Sequence, residues 1–536
     1  MTGKGKRLWG AVCAAALVWA QAGSAQAPAA GYVPQANYCY SGKGNGSPLC
    51  SVIPGDIGPD KALEQRIAYN GIVGAQPTSA DTDPQTPFDN LSWQSFVALN
   101  WTRGQEGKPA GEGLQGDGPR VWQGWQRVSE VFGNGPVQAK CQNPENLPVY
   151  SIASNGHGEA VEQNEEYVQA ATGRPVIDVG GNWTIFERRV NGVETAYLQA
   201  PGGHREWTLT TRAGQKAFVA DKQQVYFPPQ TTPSDTGAIE LKVAWRILDP
   251  KDHEANRQRF FLTRALLAVA PDLVENGRAG PVCDTVDLGM VGMHIMQKNP
   301  KTANSLKNEW FWSTFEHVDN APLAAQPCDP ASPASCPAIG ELDCAAASPA
   351  QPYSYFNPDC PECATNQPPP KKRGQRAFVW NKTMPYAKGY LQTVTSGGKS
   401  LSLGTQVSRC WAIYSLTGQL NAQWQEQLAR VNSVFRNYML VGTQWGGTMT
   451  PTPDPKIPPG TVPAFLSNSV IETYLQKMVD PHNPFGTGSC ISCHRAAKLP
   501  LKSNLLPPPT FPSDFSFLPE LAQPGLVRRG AGEAIR

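Results

Sequence analysis

From about residue 176 to residue 320 the chain reads in short runs in which apolar and polar positions alternate. In Ile239-Glu240-Leu241-Lys242-Val243-Ala244-Trp245-Arg246-Ile247 most apolar side chains fall two apart with charged ones between them. That period predicts a strand with one wet face. Trp183 to Arg188 and Phe260 to Val269 repeat the pattern, although the second run also fits a helix. Val291 to Met296 and Trp310 to His317 predict two more strands joined by a polar loop. The middle of the protein is therefore expected to be mainly antiparallel sheet, and the class α+β.

Helical periods lie to either side. Leu91 to Trp101 follows Asp89-Asn90, which can cap a helix, and puts Trp93, Phe96, Val97 and Trp101 on one stripe. From Asn421 to about Val441, apolar residues recur at Trp424, Leu428, Val431, Phe435 and Tyr438 with a 3.6-residue period. A third helix is predicted to start at the capping box Ser469-Val470-Ile471-Glu472, to present Ile471, Tyr474, Leu475 and Met478, and to stop at Asp480-Pro481.

With 51 Gly and 50 Pro in 536 residues, long ordered connections should join these elements. The stretch 321–375 is dense in Ala, Pro and Cys and ends in Pro368-Pro369-Pro370-Lys371-Lys372-Arg373, which reads as an insertion or extended linker. It divides the chain into a β-rich body with N-terminal helices (26–320) and a C-terminal portion (376–536), with room for strands from both to share a core.

Residues 1–25 read as a secretory signal. Lys4, Lys6 and Arg7 form a basic start, Leu8 to Ala20 an apolar run, and small residues follow at Gly23-Ser24-Ala25. Cleavage is expected after Ala25, because cleavage after Ala27 would leave Pro28 first. Val12 before Cys13 does not suit a lipoprotein. No later stretch has about 18 consecutive apolar residues, so no membrane span is expected. Without Lys4, Lys6 and Arg7 the chain has 43 basic residues against 44 acidic. That balance offers no electrostatic attraction to nucleic acid. The expected partner is a redox partner protein or a small-molecule substrate.

The chemistry concentrates near the C-terminus, at Cys490-Ile491-Ser492-Cys493-His494. Two thiols three positions apart can each add to one haem vinyl group, and the following histidine is placed to hold the iron. Random placement of 13 Cys and 7 His would produce only about 0.004 such motifs per chain of this composition. A Cys490–Cys493 disulfide and a structural zinc site are the competing readings. The second is short of ligands, since His482 is the only other Cys or His nearby. A single covalent haem c with His494 as proximal ligand is the expected cofactor, carried by a helical C-terminal segment in a periplasmic or secreted protein.

Ten further cysteines, Cys39, Cys50, Cys141, Cys283, Cys328, Cys336, Cys344, Cys360, Cys363 and Cys410, allow up to five disulfides in an oxidising compartment. Cys360-Pro361-Glu362-Cys363 lacks a following histidine and reads as a disulfide-bonded loop.

After His494 there is neither Met nor His, so the arrangement in which a downstream methionine supplies the sixth iron ligand is impossible. Met478 and His482 are the nearest upstream candidates. Met439 and Met449, and His294 or His317 from the sheet, stand further off in sequence; an open sixth position is the alternative. A saturated iron moves electrons, whereas an open one binds small ligands. His294, Glu316 and His317 form a second candidate constellation. If their strands pair, His294 could meet Glu316 or His317 and bind a metal or move protons. The plainer reading has the histidines hydrogen-bonded in the sheet and Glu316 paired to an arginine. Phosphate-loop, dinucleotide, nucleophile-elbow and H-E-x-x-H signatures are absent from the sequence.

Several phrases resemble a group of bacterial secreted proteins labelled cytochrome c family protein. They are Trp93-Gln94-Ser95-Phe96-Val97-Ala98-Leu99-Asn100-Trp101, Gly292-Met293-His294-Ile295, Trp312 to Asn320, Asn437 to Trp445 and Glu472-Thr473-Tyr474. The resemblance implies one haem c, a periplasmic location and a redox role, without specifying a substrate. The expected function is one-electron transfer by a monohaem cytochrome. The alternative is a haem-dependent oxidoreductase or gas-binding protein whose large upstream body holds a pocket, since about 100 residues suffice to hold a haem.

Overall fold

The computed structural model describes residues 49–54, 85–104, 109, 113–116, 118–133, 141–152, 174–229, 236–275, 280–298, 310–330, 336–337, 342–346, 353–360, 362–368, 379–389, 391–396, 399–444, 465–477, 490–501 and 510–522. Met478, His482, Met449 and the expected leader lie outside them.

The elements follow one another as α1 (Gln85–Leu99), β1 (Gln126–Arg127), β2 (Val149–Ile152), β3 (Ile185–Val190), α2 (Gly192–Gln199), α3 (Arg212–Ala220), β4 (Ile239–Leu248), β5 (Leu262–Val269), β6 (Val282–Lys298) and β7 (Trp310–His317). Then come β8 (Leu323–Cys328), β9 (Gln392–Ser396), β10 (Lys399–Leu403), β11 (Arg409–Trp411), α4 (Ser415–Arg430), β12 (Tyr438–Gln444) and α5 (Cys490–His494), with short 3-10 turns between. The class is α+β with a mainly antiparallel sheet. Its strands run β1-β3-β4-β6-β5-β2, and β7 and β12 continue from β6. The 17-residue β6 is the spine: Val282–Gly289 pair with β5 and Gly292–Lys298 with β7, while β4 lies along its other edge. β2 and β5 run parallel.

Alternation along β4 sorts the two faces. Ile239, Leu241, Val243 and Trp245 join Met293, Ile295 and Phe315 in the main core. α1 and α4 cover that face. Phe96 stacks on Phe315 at 4.2 Å, and Trp93 stacks on Trp424 at 5.9 Å. Asp89 and Asn90 do not cap α1, as the sequence suggested. They lie within it and accept hydrogen bonds from Thr417 and the Trp424 indole, tying α1 to α4.

The opposite face carries Arg188, Glu240, Lys242, His294, Lys298, Thr314 and Glu316, by the same alternation. Segments 465–477, 490–501 and 510–522 cover it through polar contacts. Lys298 reaches both oxygens of Asp514 at 2.7 and 2.8 Å, and the Trp310 indole donates to the Asp514 carbonyl. Asn468 donates to Thr314 and to the Phe315 carbonyl. Arg212 donates to the carbonyls of Pro500, Glu520 and Ala522.

Two expected helices differ. The period starting at Asn421 ends as helix at Arg430, where Asn432 turns left-handed (φ 51°) and the Ser433 N–H closes back on the Leu428 carbonyl. Phe435 and Tyr438 still reach the core, but from a 3-10 turn and from β12. The helix expected at Ser469 is a 3-10 turn over Thr473–Lys477. Asn468, not Ser469, caps it: its side chain accepts from Val470 and Ile471, while Glu472 accepts the Asn468 N–H. Phe260 to Val269, which fitted strand or helix, contains strand β5.

Within 321–375, β8 pairs in parallel with β11, and a Cys344–Cys410 disulfide bridges the same region. Cys141–Cys283, Cys328–Cys336 and Cys360–Cys363 are also at bonding distance. Among the described residues no helix is long and apolar enough to cross a membrane.

Candidate functional site

α5 is one turn of helix carrying Cys490, Cys493 and His494. Residues three apart share a face of a turn, so the two thiols project together. Both are free, Cys490 half-buried and Cys493 exposed, and no disulfide joins them. Burial, with the Glu472 carboxylate adding to it, pushes both thiols up from their ordinary value, Cys490 the more. Both are protonated at neutral pH.

α5 is set on the sheet by named contacts. The Ile491 N–H points to the Gln444 side chain of β12 at 3.4 Å, and Cys490 and Ile491 pack against the cluster of Met296, Trp310, Trp312, Leu499, Phe515 and Leu518. The His494 ring lies 6.2 Å from Trp312 and 5.1 Å from Phe517, centre to centre.

The His494 Nδ1 is 2.7 Å from the Phe515 carbonyl oxygen. A carbonyl only accepts, so Nδ1 carries the proton and Nε2 presents a bare lone pair. Burial, opposed by the Phe515 contact, brings the imidazole down to about 4; His294 and Lys242 also lower it, and Glu472 raises it. The ring is neutral at pH 7. A neutral imidazole held through Nδ1 is the state in which histidine ligates a metal through Nε2. The indole Nε1 of Trp312, beside this ring, is buried without a hydrogen-bond partner. Two unpaired thiols on one turn, a ligand-ready imidazole and an orphaned donor fit a covalent haem. Cys490 and Cys493 would hold its vinyl carbons and His494 its iron.

His294, Glu316 and His317 are not brought together as one site. Gly292 faces Glu316 across β6 and β7, and His294 faces Thr314, so His294 and Glu316 share the polar face as diagonal neighbours two residues apart in register. His317 lies on the other face, against Phe260 and Tyr438. Its Nε2 donates to the Arg259 carbonyl and its Nδ1 accepts the Asp319 N–H. Glu316 pairs with Arg409 at 2.9 Å and accepts from the Ser469 N–H and hydroxyl. Its carboxylate is used up in holding the 465–477 segment to the sheet.

His294 belongs instead to a group that the sequence order hides. Lys242 is its neighbour on β4, and the Glu472 carboxylate lies 3.3 Å from its Nε2. Glu472 is held below its ordinary value: the pull of His294, Lys242 and the Asn468 N–H outweighs its burial. Its spacing from Ser469 marks only a helix start, and nothing in the sequence links it to His294. Comparison with models of protein families, with curated proteins and with solved structures finds no match to this chain.

Proposed function

We propose that this chain is a monohaem c-type cytochrome of the periplasm that passes single electrons to or from a partner. The observation that carries the reading is the His494 Nδ1–Phe515 carbonyl contact, which leaves Nε2 bare one residue after two unpaired thiols on the same turn. The cofactor, when bound, supplies an iron that changes oxidation state by one electron. The protein's part is to orient the imidazole and fix its tautomer, and to cover the attachment turn with Trp312, Phe515 and Phe517.

The secretory pattern at residues 1–25 and the disulfides at bonding distance support the location. Expression of the full chain in a host with a c-type maturation system, with haem staining after denaturing electrophoresis, tests the reading. One covalent haem per chain is expected in the wild type and none in a Cys490→Ser/Cys493→Ser double variant. Unstained wild-type protein, or a stained double variant, would refute it.

A further inference from the structure

If Cys490, Cys493 and His494 hold a haem, the histidines and methionines of this sequence that could meet the iron's remaining position lie upstream, since neither type occurs in 495–536. The polar face of the sheet narrows the choice. α5 rests on the row formed by Met296 of β6, Trp312 of β7 and Gln444 of β12, which pair side by side. One same-face position away from Met296 on β6 is His294, flanked by Lys242 and Thr314.

His294 is mostly buried, its side chain 22% exposed. Its Nε2 has no aligned hydrogen-bond partner. Glu472 pairs with it by charge at 3.3 Å. An imidazole nitrogen sequestered without a hydrogen bond carries a desolvation cost that a metal–ligand bond removes.

The other candidates fit less well. His317 is on the opposite face, and both its nitrogens are engaged. Met439 pairs with Glu316, four residues along β7 from Trp312, or about 13 Å at the rise of a strand. Met296 is 5% exposed within an apolar cluster, where a methionine packs without needing a partner. His204 stacks on Trp207, and His253 is paired with Asp287.

We propose that His294 is the second axial ligand of the haem that Cys490, Cys493 and His494 carry, with Glu472 and Lys242 as the charged pair around it. The proposal rests on the preceding functional reading and deepens it. An iron closed by two imidazoles exchanges electrons and does not take up small ligands, which favours electron transfer over an open catalytic or gas-binding iron. Glu472 does not lose its compensation when Nε2 is taken, because the Asn468 N–H and Lys242 still act on it.

The test uses full-length, haem-loaded protein and reads optical, electron paramagnetic resonance and carbon monoxide difference spectra. Wild type is expected to be low-spin with two imidazole nitrogens on the iron and no response to carbon monoxide. His294→Ala is expected to turn high-spin and bind carbon monoxide when reduced, and added imidazole should restore the low-spin spectrum. Met296→Leu and His482→Ala should leave the wild-type spectrum unchanged. The proposal is overturned if the wild type is high-spin or shows the red charge-transfer band of thioether ligation. It is equally overturned if His294→Ala keeps the wild-type spectrum, or if the conversion appears in His482→Ala instead. Should His294→Ala not accumulate, His294→Asn and a count of imidazole nitrogens by pulsed resonance on the wild type decide the matter, one nitrogen overturning it. Absence of covalent haem would instead overturn the functional reading itself, a distinct outcome visible on the stained gel.

Discussion

Lys298 places its ammonium 2.7 Å from one oxygen of Asp514 and 2.8 Å from the other, and this buried pair joins the spine strand to the segment that covers the Cys490–His494 turn. Asp514 immediately precedes Phe515, whose carbonyl holds the His494 imidazole. The pair therefore transmits the position of β6 to the histidine.

Lys298→Met leaves the Asp514 carboxyl buried beside no cation, a loss worth roughly 3–5 kcal/mol in such settings. Urea unfolding of this variant should show that deficit, and Lys298→Met/Asp514→Asn should recover at least half of it. A double variant no better than the single one would mean that the pair does not act as a unit.

Gly292 lies under the 468–472 segment, where an added Cβ would come within 3.2 Å of Val470 and 3.3 Å of Asn468. Asn468 cannot withdraw without losing its bonds to Thr314 and Phe315. Gly292→Ala is therefore expected to cost about 1–3 kcal/mol by overpacking, and to speed limited proteolysis of the C-terminal arm. An unchanged melting temperature would contradict this.

Burial brings the His317 imidazole down to about 4, although the Arg259 carbonyl draws it upward. In the unfolded chain it takes up a proton near its ordinary 6.5, so below that pH the unfolded state binds more protons and stability falls. At about 1.4 kcal/mol per tenfold change in proton affinity, the gap amounts to roughly 3 kcal/mol by pH 4. His317→Gln should lose less stability than wild type between pH 7 and pH 4.5 in thermal denaturation, whatever its stability at pH 7. Parallel pH profiles would rule out His317 as a source of acid sensitivity.

Glu194 and Glu240 form a buried carboxyl pair in which burial first, and each other's proximity for Glu194, push both above the ordinary 4.5. The two carboxyls share a hydrogen bond, in which one holds the proton that the other accepts. The folded protein holds a proton that the unfolded chain releases above that pH, so this stability is full below 4.5 and declines as pH rises. Glu194→Gln should flatten the decline, losing less stability than wild type between pH 5 and pH 8. Equal losses would show that no proton is retained there.

Alternation made most of the sheet readable, because a strand with one face in the core must place its apolar side chains two apart. Ile239 to Ile247 and Trp310 to His317 are strands for that reason. The same rule went astray at Phe435 and Tyr438: their spacing from Trp424 and Leu428 is helical, yet only the shared need to be buried aligns them. Asn432 ends the helix with a left-handed turn, for which a single Asn is a weak signal. Ser469 and Glu472 resembled a capping box, but a neighbouring Asn468 does the capping and the sheet takes Ser469 and Glu472 as partners.

The sequence by itself determined the triplet Cys490, Cys493 and His494, since the C-x-x-C-H spacing lies within five consecutive residues. Only the tertiary structure decided what surrounds that triplet. Phe515 reaches His494 through a backbone carbonyl, which no side-chain pattern encodes, and His294 meets Lys242 and Glu472 because strand register and the path of the 465–477 segment bring together groups far apart in the chain. His317, twenty-three residues beyond His294 in the numbering, is turned away from it because neighbouring positions on a strand point to opposite faces.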